Sequence, residues 1–349
     1  MYWKYVLRRL LQSILTFIVI IFIYSALFNT VMEATLRSQI NEQLQGEMMA
    51  FAKSGLKADE LKEHFENRKE RLYEQYHLYD PIPSRIFWRA IDTITLNLGK
   101  ASNIRSASGS ADVMEIIAEK IPNTLLLFLT AAVIDVIIGV VLGLKKAQKP
   151  GKRMDRWTSI LTMVVYGLPT WWLGMVMIMF FSYVIPIFPS GGIHSVPPPD
   201  GGLAYFLDML HHLALPVLVL VFVGFWGRAY LIRNIVLGTL QEDFIMSARA
   251  RGLSERRVLF GHTLRTAAPP IVTMALMSLI FSISGGLIFE GIFSWPGMGN
   301  LYWIAVQQND IPVLMGNLAL TTALYLMGLV ILDLIYGLLD PRIKVGGKA

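Results

Sequence analysis

The residue that most invites a chemical reading is a lone carboxylate, Asp135, well inside the apolar stretch Ile121–Leu144. An ionisable side chain in such a setting is costly unless it faces a cavity or a partner, so Asp135 is either a contact for something passing through or a structural hydrogen bond within a helix bundle. Ser278 and Ser282 recur in a later apolar stretch, and with Ser284, Gly285 and Gly286 they make a small-residue stripe. That stripe suits either close helix packing or a polar lining. His211 and His212 are adjacent without carboxylate support, which reads as an interfacial pair, and no metal site is assigned. There is no cysteine, no H-E-x-x-H, no nucleophile elbow, no catalytic pair of carboxylates and no G-x-x-x-x-G-K-[ST] phosphate loop. Nothing in this inventory points to an enzyme.

The elements that must position these residues are written in the composition. Of 349 residues, 54% are hydrophobic and 16% charged. The apolar residues gather into six runs, Leu10–Phe28, Ile121–Leu144, Trp157–Phe188, Leu213–Tyr230, Ala267–Ile288 and Ile311–Leu339. A run of about 20 residues crosses about 30 Å of hydrocarbon as a helix, whereas a membrane barrel would show short alternating strands. The expectation is an all-α membrane protein with six transmembrane helices. Tyr166-Gly-Leu-Pro169 should kink the third.

A net charge of +6 would suggest nucleic acid in a soluble chain, but here topology accounts for it. Lys145, Lys146, Lys149, Lys152, Arg153 and Arg156 fall in one short loop, and Arg233, Arg249, Arg251, Arg256, Arg257 and Arg265 in the next but one. The intervening loops, Pro186–Asp208 and Glu290–Ile311, hold no Lys or Arg. The positive-inside rule then places both termini, both basic loops and the tail with Arg342, Lys344 and Lys348 in the cytoplasm of a multi-pass protein of the cell membrane. The first run is longer than a signal-peptide core and lacks a small-x-small cleavage site, so it reads as a retained helix.

The chain divides into an N-terminal membrane helix (1–29), an extracytoplasmic insert (30–118), a five-helix core (119–345) and a short tail (346–349). The first half of the insert is rich in Glu, Lys, Gln and Leu. Helical spacing at Leu56, Leu61, Phe65 and Leu72, with a break at Ser54–Gly55, suits either a helical hairpin or a solvated insert. Ile86–Leu98 reads as a short amphipathic helix carrying Phe87 and Trp88 near the membrane surface, and Ala101–Ala111 as a loop.

Within the second basic loop (234–266), Gln241–Val272 reads QEDFIMSARARGLSERRVLFGHTLRTAAPPIV. Glu242 and Asp243 complement a helix N-terminus, small residues Ser247, Ala248 and Ala250 follow, Gly252 interrupts, and Ser254 caps a second helix. Small side chains on a short helix allow another protein to come close. The same pattern also fits any basic amphipathic inner loop.

This loop resembles the signature of ABC-importer permeases, a small-residue pair followed four positions later by glycine, here Ser247-Ala248 and Gly252. Ser247-Ala-Arg-Ala-Arg-Gly-Leu-Ser-Glu-Arg-Arg-Val and His262-Thr-Leu-Arg265 resemble, more narrowly, the first permease of oligopeptide, dipeptide and nickel importers. Three further blocks agree: Ile121-Pro-Asn-Thr-Leu-Leu-Leu, Phe289-Glu-Gly-Ile-Phe-Ser-Trp-Pro-Gly-Met-Gly-Asn300 and Asp333-Leu-Ile-Tyr-Gly-Leu-Leu-Asp-Pro-Arg342. The likeness covers the first helix and about Tyr76 to Lys344; the Pro-Gly-Asp-Pro usual after the first helix is missing, and Asn29–Arg71 has no counterpart.

The resemblance implies a type I ABC importer permease fold and half of a translocation pathway for peptides, with nickel as the alternative cargo. It implies coupling to cytoplasmic ATPases through Glu242, Asp243, Ser247, Ala248, Arg249, Ala250, Arg251, Gly252 and Leu253. The implied partners are a second homologous permease, two ATPase subunits that carry ATP and Mg, an extracytoplasmic substrate-binding protein and membrane lipid, with no nucleic acid. Asp135, Ser278 and Ser282 are the pathway candidates. The rival classes are an ion-coupled secondary transporter that uses Asp135, and a receptor whose insert binds a ligand.

Overall fold

A computed structural model describes residues 2–51, 58–282 and 285–339. Two compact units emerge: Met1–Val6, Lys120–Asn300 and Met327–Ala349 form one, Leu7–Glu119 and Leu301–Leu326 the other. Five helices are long and apolar enough to cross a membrane, or six if one bent pair counts as a span.

In the unit built on Leu7–Glu119, the first helix runs on well past its apolar run. Helix α1 (Tyr2–Phe51) is a single element of 50 residues. No proline interrupts it, and past Phe28 it continues on good helix formers tied by i,i+4 bonds, Arg37 to Glu33 at 2.9 Å and Gln43 to Glu47 at 2.8 Å. Helix α2 (Ala58–Gln75) packs against it through Ile40, Leu44, Phe65, Leu72, Tyr73 and Leu78. The break read at Ser54–Gly55, and Leu56 with it, lies outside the described residues.

Helix α3 (Ile82–Ile94) starts on Pro81 with Pro83 in its first turn, where a missing N–H costs nothing. It is amphipathic: Ala90 and Thr93 are buried, while Ile82, Phe87 and Trp88 are exposed. The loop that follows is pinned at Asp310, whose carboxylate accepts from the backbone N–H groups of Asn103 (2.7 Å) and Ile104 (3.0 Å). Helix α4 (Val113–Ala118) is capped by the Asp112 side chain, which accepts from Glu115 N.

The other unit is organised by two helices, α5 (Ile121–Gln148) and α8 (Gly202–Leu240). Along one face of α5, Leu127, Ala131, Asp135, Gly139 and Gly143 recur every four residues and are buried. The two glycines are seats: a Cβ on Gly139 would lie 2.7 Å from Arg228 Cδ, and one on Gly143 would lie 2.8 Å from Ile232 Cβ. Gly224 of α8 answers from the other side, 2.9 Å from Asp135 Oδ1 by the same construction. Small residues of this kind let two membrane helices approach closely.

Between these helices the chain forms α6 (Arg153–Tyr166) and α7 (Thr170–Ile178), the latter running on as a π-helical stretch, Met179–Val184. They are bent by 95° at Gly167-Leu168-Pro169. The residue before a proline is steered away from helical geometry, which stops α6 there.

The rest of this unit consists of α9 (Asp243–Ala250), α10 (Glu255–Arg257) leading through a π-helical stretch into α11 (Leu264–Phe281), and α12 (Leu287–Ile292). Helices α13 (Met298–Gln307) and α14 (Ile311–Leu339) close the chain. The fifth run, Ala267–Ile288, is therefore not one helix. The helix ends at Phe281, and Gly285 takes φ +69°, so Ser282, Gly285 and Gly286 mark its termination and do not form a stripe along it. Ser284 and the tail from Asp340 onward lie outside the described residues.

Candidate functional site

Helix α9 is held by a small core of its own. Ile245 and Ala248 are fully buried against Val258, with Leu240 and Leu253 packed around them. At its end, Gly252 N–H donates to Arg249 O (2.9 Å) and Leu253 N–H to Ala248 O (3.4 Å), the paired bonds of a Schellman cap. Gly252 sits at φ +79° with nothing within 4 Å of where a Cβ would be. Its role is thus backbone geometry, with no close neighbour to accommodate. Arg249 closes the bend by a two-nitrogen grip on Glu255 (2.8 and 3.1 Å), which raises the Arg249 pKa. Ser254 stands at the start of α10, but its side chain makes no capping bond.

This arrangement sorts the loop residues into two sets. Glu242, Asp243, Ser247, Arg249, Ala250, Arg251 and Gly252 are exposed, Leu253 is half-buried, and Ala248 points into the loop core. The exposed set is joined by Phe244 and Met246, 43% and 56% accessible, two apolar residues that pattern reading passed over. A large apolar side chain left in solvent on an otherwise well-anchored helix is a candidate contact.

Of the three pathway candidates, two are brought together. Arg228 Nε donates to Asp135 Oδ2 (2.8 Å), its Nη2 lies 2.6 Å from the same oxygen, and it also donates to Ser278 Oγ (2.5 Å) and Met274 O (3.3 Å). The pair is largely buried, with side-chain exposures of 14% and 10%. An arginine near the end of an apolar run is able to snorkel toward the interface. Arg228 instead folds inward over Gly139, because that glycine leaves room for its stem. Ser282 stands apart, its hydroxyl donating to Leu279 O of its own helix (2.5 Å). Arg228 and Ser278 line a cavity of about 970 Å³ whose wall includes Tyr166, Met163, Met277 and Phe281.

A third constellation joins two of the sequence blocks. Glu290, fully buried, accepts from Thr124 Oγ1 (3.0 Å) and Asn300 N–H (3.0 Å). Met298 N–H donates to Thr124 Oγ1 (2.7 Å), Trp295 Nε1 to Asn123 O (2.8 Å) and Asn123 Nδ2 to Pro296 O (2.9 Å). Burial pushes the Glu290 carboxyl above the ordinary range, against the pull of these donors. Gly297 is tightly seated, since a Cβ there would clash with Glu290 Oε2 and Thr124 Oγ1 unless those side chains shifted.

The adjacent histidines serve the loop before α8. His211 pairs with Ile187 O (2.7 Å) and His212 with Gly191 O (3.0 Å). Among the described residues no three His, Asp or Glu side chains are grouped to hold a metal.

Two helices bent at a break, a buried ion pair at glycine seats and a loop helix anchored on its own small core are set among helices long and apolar enough to cross a membrane. Residues 135–345 match the family model of the binding-protein-dependent transport system inner membrane component. That is more than half of the chain, and the chain belongs to this family of ABC-transporter permeases. It is 32% identical over 276 residues to the oligopeptide transport system permease protein AppB of Bacillus subtilis (strain 168), covering 79% of this chain and 85% of that one. It is 32% identical over 237 residues to the di/tripeptide transport system permease protein DppB of Pseudomonas aeruginosa (strain UCBPP-PA14), covering 64% and 70%. To the inner membrane ABC transporter permease protein YejB of Escherichia coli O157:H7 it is 31% identical over 283 residues, covering 78% and 75%. The family is one of transporter permeases and not of enzymes, and its members work with ATPase and substrate-binding partners.

Proposed function

We propose that this chain forms half of the translocation pathway for di- or oligopeptides in an ATP-driven importer, and that α9 receives the power stroke. The observation that carries the coupling role is the division of labour in α9: Ile245 and Ala248 anchor it inside the loop, while Phe244, Met246, Ser247 and Ala250 face outward. A helix anchored in this way transmits force instead of absorbing it.

The peptide cargo rests on the relatives' names, which favour it over nickel. In this reading 119–345 is the core, 234–266 its cytoplasmic coupling loop, and 30–118 an external insert. The termini are cytoplasmic and the chain is embedded in the cell membrane. The complex would hold a second homologous permease, two ATPases binding ATP and Mg, and an extracytoplasmic binding protein that docks near Asn29–Arg71. Because α1 runs unbroken through Asn29, that docking is better probed by substitutions on α2 than by deletion.

Transport would proceed by alternating access, ATP shifting the balance between two helix packings through differential contact with α9. Co-purification of the ATPases with Phe244→Asp and Met246→Glu chains is the direct test. Both variants should insert and fold normally yet lose ATPase association and uptake. Full assembly and transport by both would remove the coupling role.

A further inference from the structure

The turn between α5 and α6 carries a concentration of charge that the transport reading leaves unused. From Lys145 to Arg156 the chain holds six cations and one carboxylate. Two of these groups turn inward. Lys146 is fully buried with its ammonium over the Tyr230 ring (5.7 Å), and buried Asp155 is gripped by Arg233 (3.1 and 2.7 Å) and accepts from Gly151 N–H (2.9 Å). Lys145, Lys149, Lys152, Arg153 and Arg156 are left exposed, and none of the five makes a side-chain hydrogen bond or ion pair among the described residues. With its one acid withdrawn, the outer surface of the turn is cationic throughout.

What such a surface meets can be read along α6. Asp155, Thr162 and Val165 are buried, and Thr162 Oγ1 donates to Trp226 O of α8 (3.2 Å), so that side of the helix is packed away. Arg153, Trp157, Ile160 and Val164, spaced i, i+4, i+7 and i+11, form one stripe on the opposite side, and all four are exposed. From the start of the helix the stripe passes from cation through indole to aliphatic carbon. The same order of chemistry runs inward across one bilayer leaflet, from phosphate through the interface to acyl chain. The 14 residues of α6 measure about 21 Å, the depth of one leaflet with its headgroups. A soluble acidic partner would account for the cations but not for bare Trp157, Ile160 and Val164.

We infer that the α5–α6 turn is a binding surface for anionic phospholipid headgroups, with Lys145, Lys149, Lys152, Arg153 and Arg156 taking the phosphates and Trp157, Ile160 and Val164 lying against the acyl chains. A juxtamembrane cluster of this size holds anionic lipid by summed attraction, so its occupancy falls as salt rises. Arg153, at the head of the stripe, offers a planar fork that matches phosphate geometry. The inference needs only a chain that spans a membrane, and it is independent of peptide cargo and of coupling through α9.

The chain has no cysteine, so Gln148→Cys gives a single exposed site for a donor fluorophore beside the turn. The full-length labelled chain is reconstituted in phosphatidylcholine vesicles doped with a trace of acyl-labelled phosphatidylglycerol or of acyl-labelled phosphatidylcholine, and energy transfer to the two is compared. Transfer to phosphatidylglycerol should exceed transfer to phosphatidylcholine about twofold or more at low salt, and the two should converge at about 1 M salt. The combined variant Lys145→Gln, Lys149→Gln, Lys152→Gln, Arg153→Gln, Arg156→Gln should abolish the excess, while Arg256→Gln with Arg257→Gln in the other basic loop should leave it in place. The salt comparison keeps all five cations, so it stands even where the combined variant fails to insert. Equal transfer to both lipids, an excess that survives about 1 M salt or the combined variant, or an equal loss in the Arg256 and Arg257 variant would each overturn the inference.

Discussion

The α9 loop and the Asp135–Arg228 pair solve opposite problems with the same materials. In the loop, apolar residues Ile245, Ala248 and Val258 form a small core so that a face can be left exposed. In the bundle, glycines 139 and 224 open a gap so that charges can be hidden. The difference shows where a substitution should register. At a face held by a separate core, side chains can change with little effect on folding. At a hidden pair, each partner exists for the other, and removing one strands the second in a low-dielectric setting.

The largest expected effect follows from that contrast. Asp135→Leu leaves Arg228 without its counter-charge and should cost about 3–5 kcal/mol, read as a drop in thermal unfolding temperature in detergent. Adding Arg228→Met should recover most of the loss, since a buried pair is often replaceable by apolar residues of like volume. A stable single variant would break the comparison at its stronger end.

Next is Gly224→Val, which drives a side chain into the Asp135 carboxylate; overpacking should cost about 1–3 kcal/mol by the same assay. Gly252→Ala should cost about 1 kcal/mol, from the left-handed backbone alone, because no atom stands in its way. Phe244→Asp should leave stability within about 0.5 kcal/mol while abolishing ATPase co-purification. Together the last two separate the shape of the loop from its surface.

The smallest effect concerns pH. The Glu290 carboxyl titrates higher folded than unfolded, so its contribution is fully present below the unfolded value and is lost as pH rises through the folded one. Unfolding temperature should therefore slope downward with pH above the ordinary carboxylate range, and Glu290→Gln should flatten that slope. An unchanged slope in the variant would assign the dependence to another group.

The membrane helices were legible in sequence because hydrocarbon thickness imposes a length on them, and the bend at Tyr166–Pro169 because proline constrains its predecessor. The small-residue positions of the 234–266 loop were legible as a pattern, but their facing was not. Ala248 and Ser247 are alike in size, and only packing against Val258 decides that one turns in and the other out. The place of Arg228 was not legible, since nothing local reveals that Gly139, far away in sequence, leaves it a seat beside Asp135. The fifth run was read too long for a related reason. Ser and Gly suit both a packing stripe and a helix terminus, and the positive φ at Gly285 is a tertiary outcome.

One consequence of α1 extends beyond its packing. At 50 residues it measures about 75 Å, against about 30 Å of hydrocarbon, and the part past Phe28 carries it about 35 Å beyond its apolar run without a joint. On such a mast, a tilt of about 10° at the root sweeps the tip through roughly 6 Å. Whatever nudges the tip is felt, geared down, at the level of the lipid.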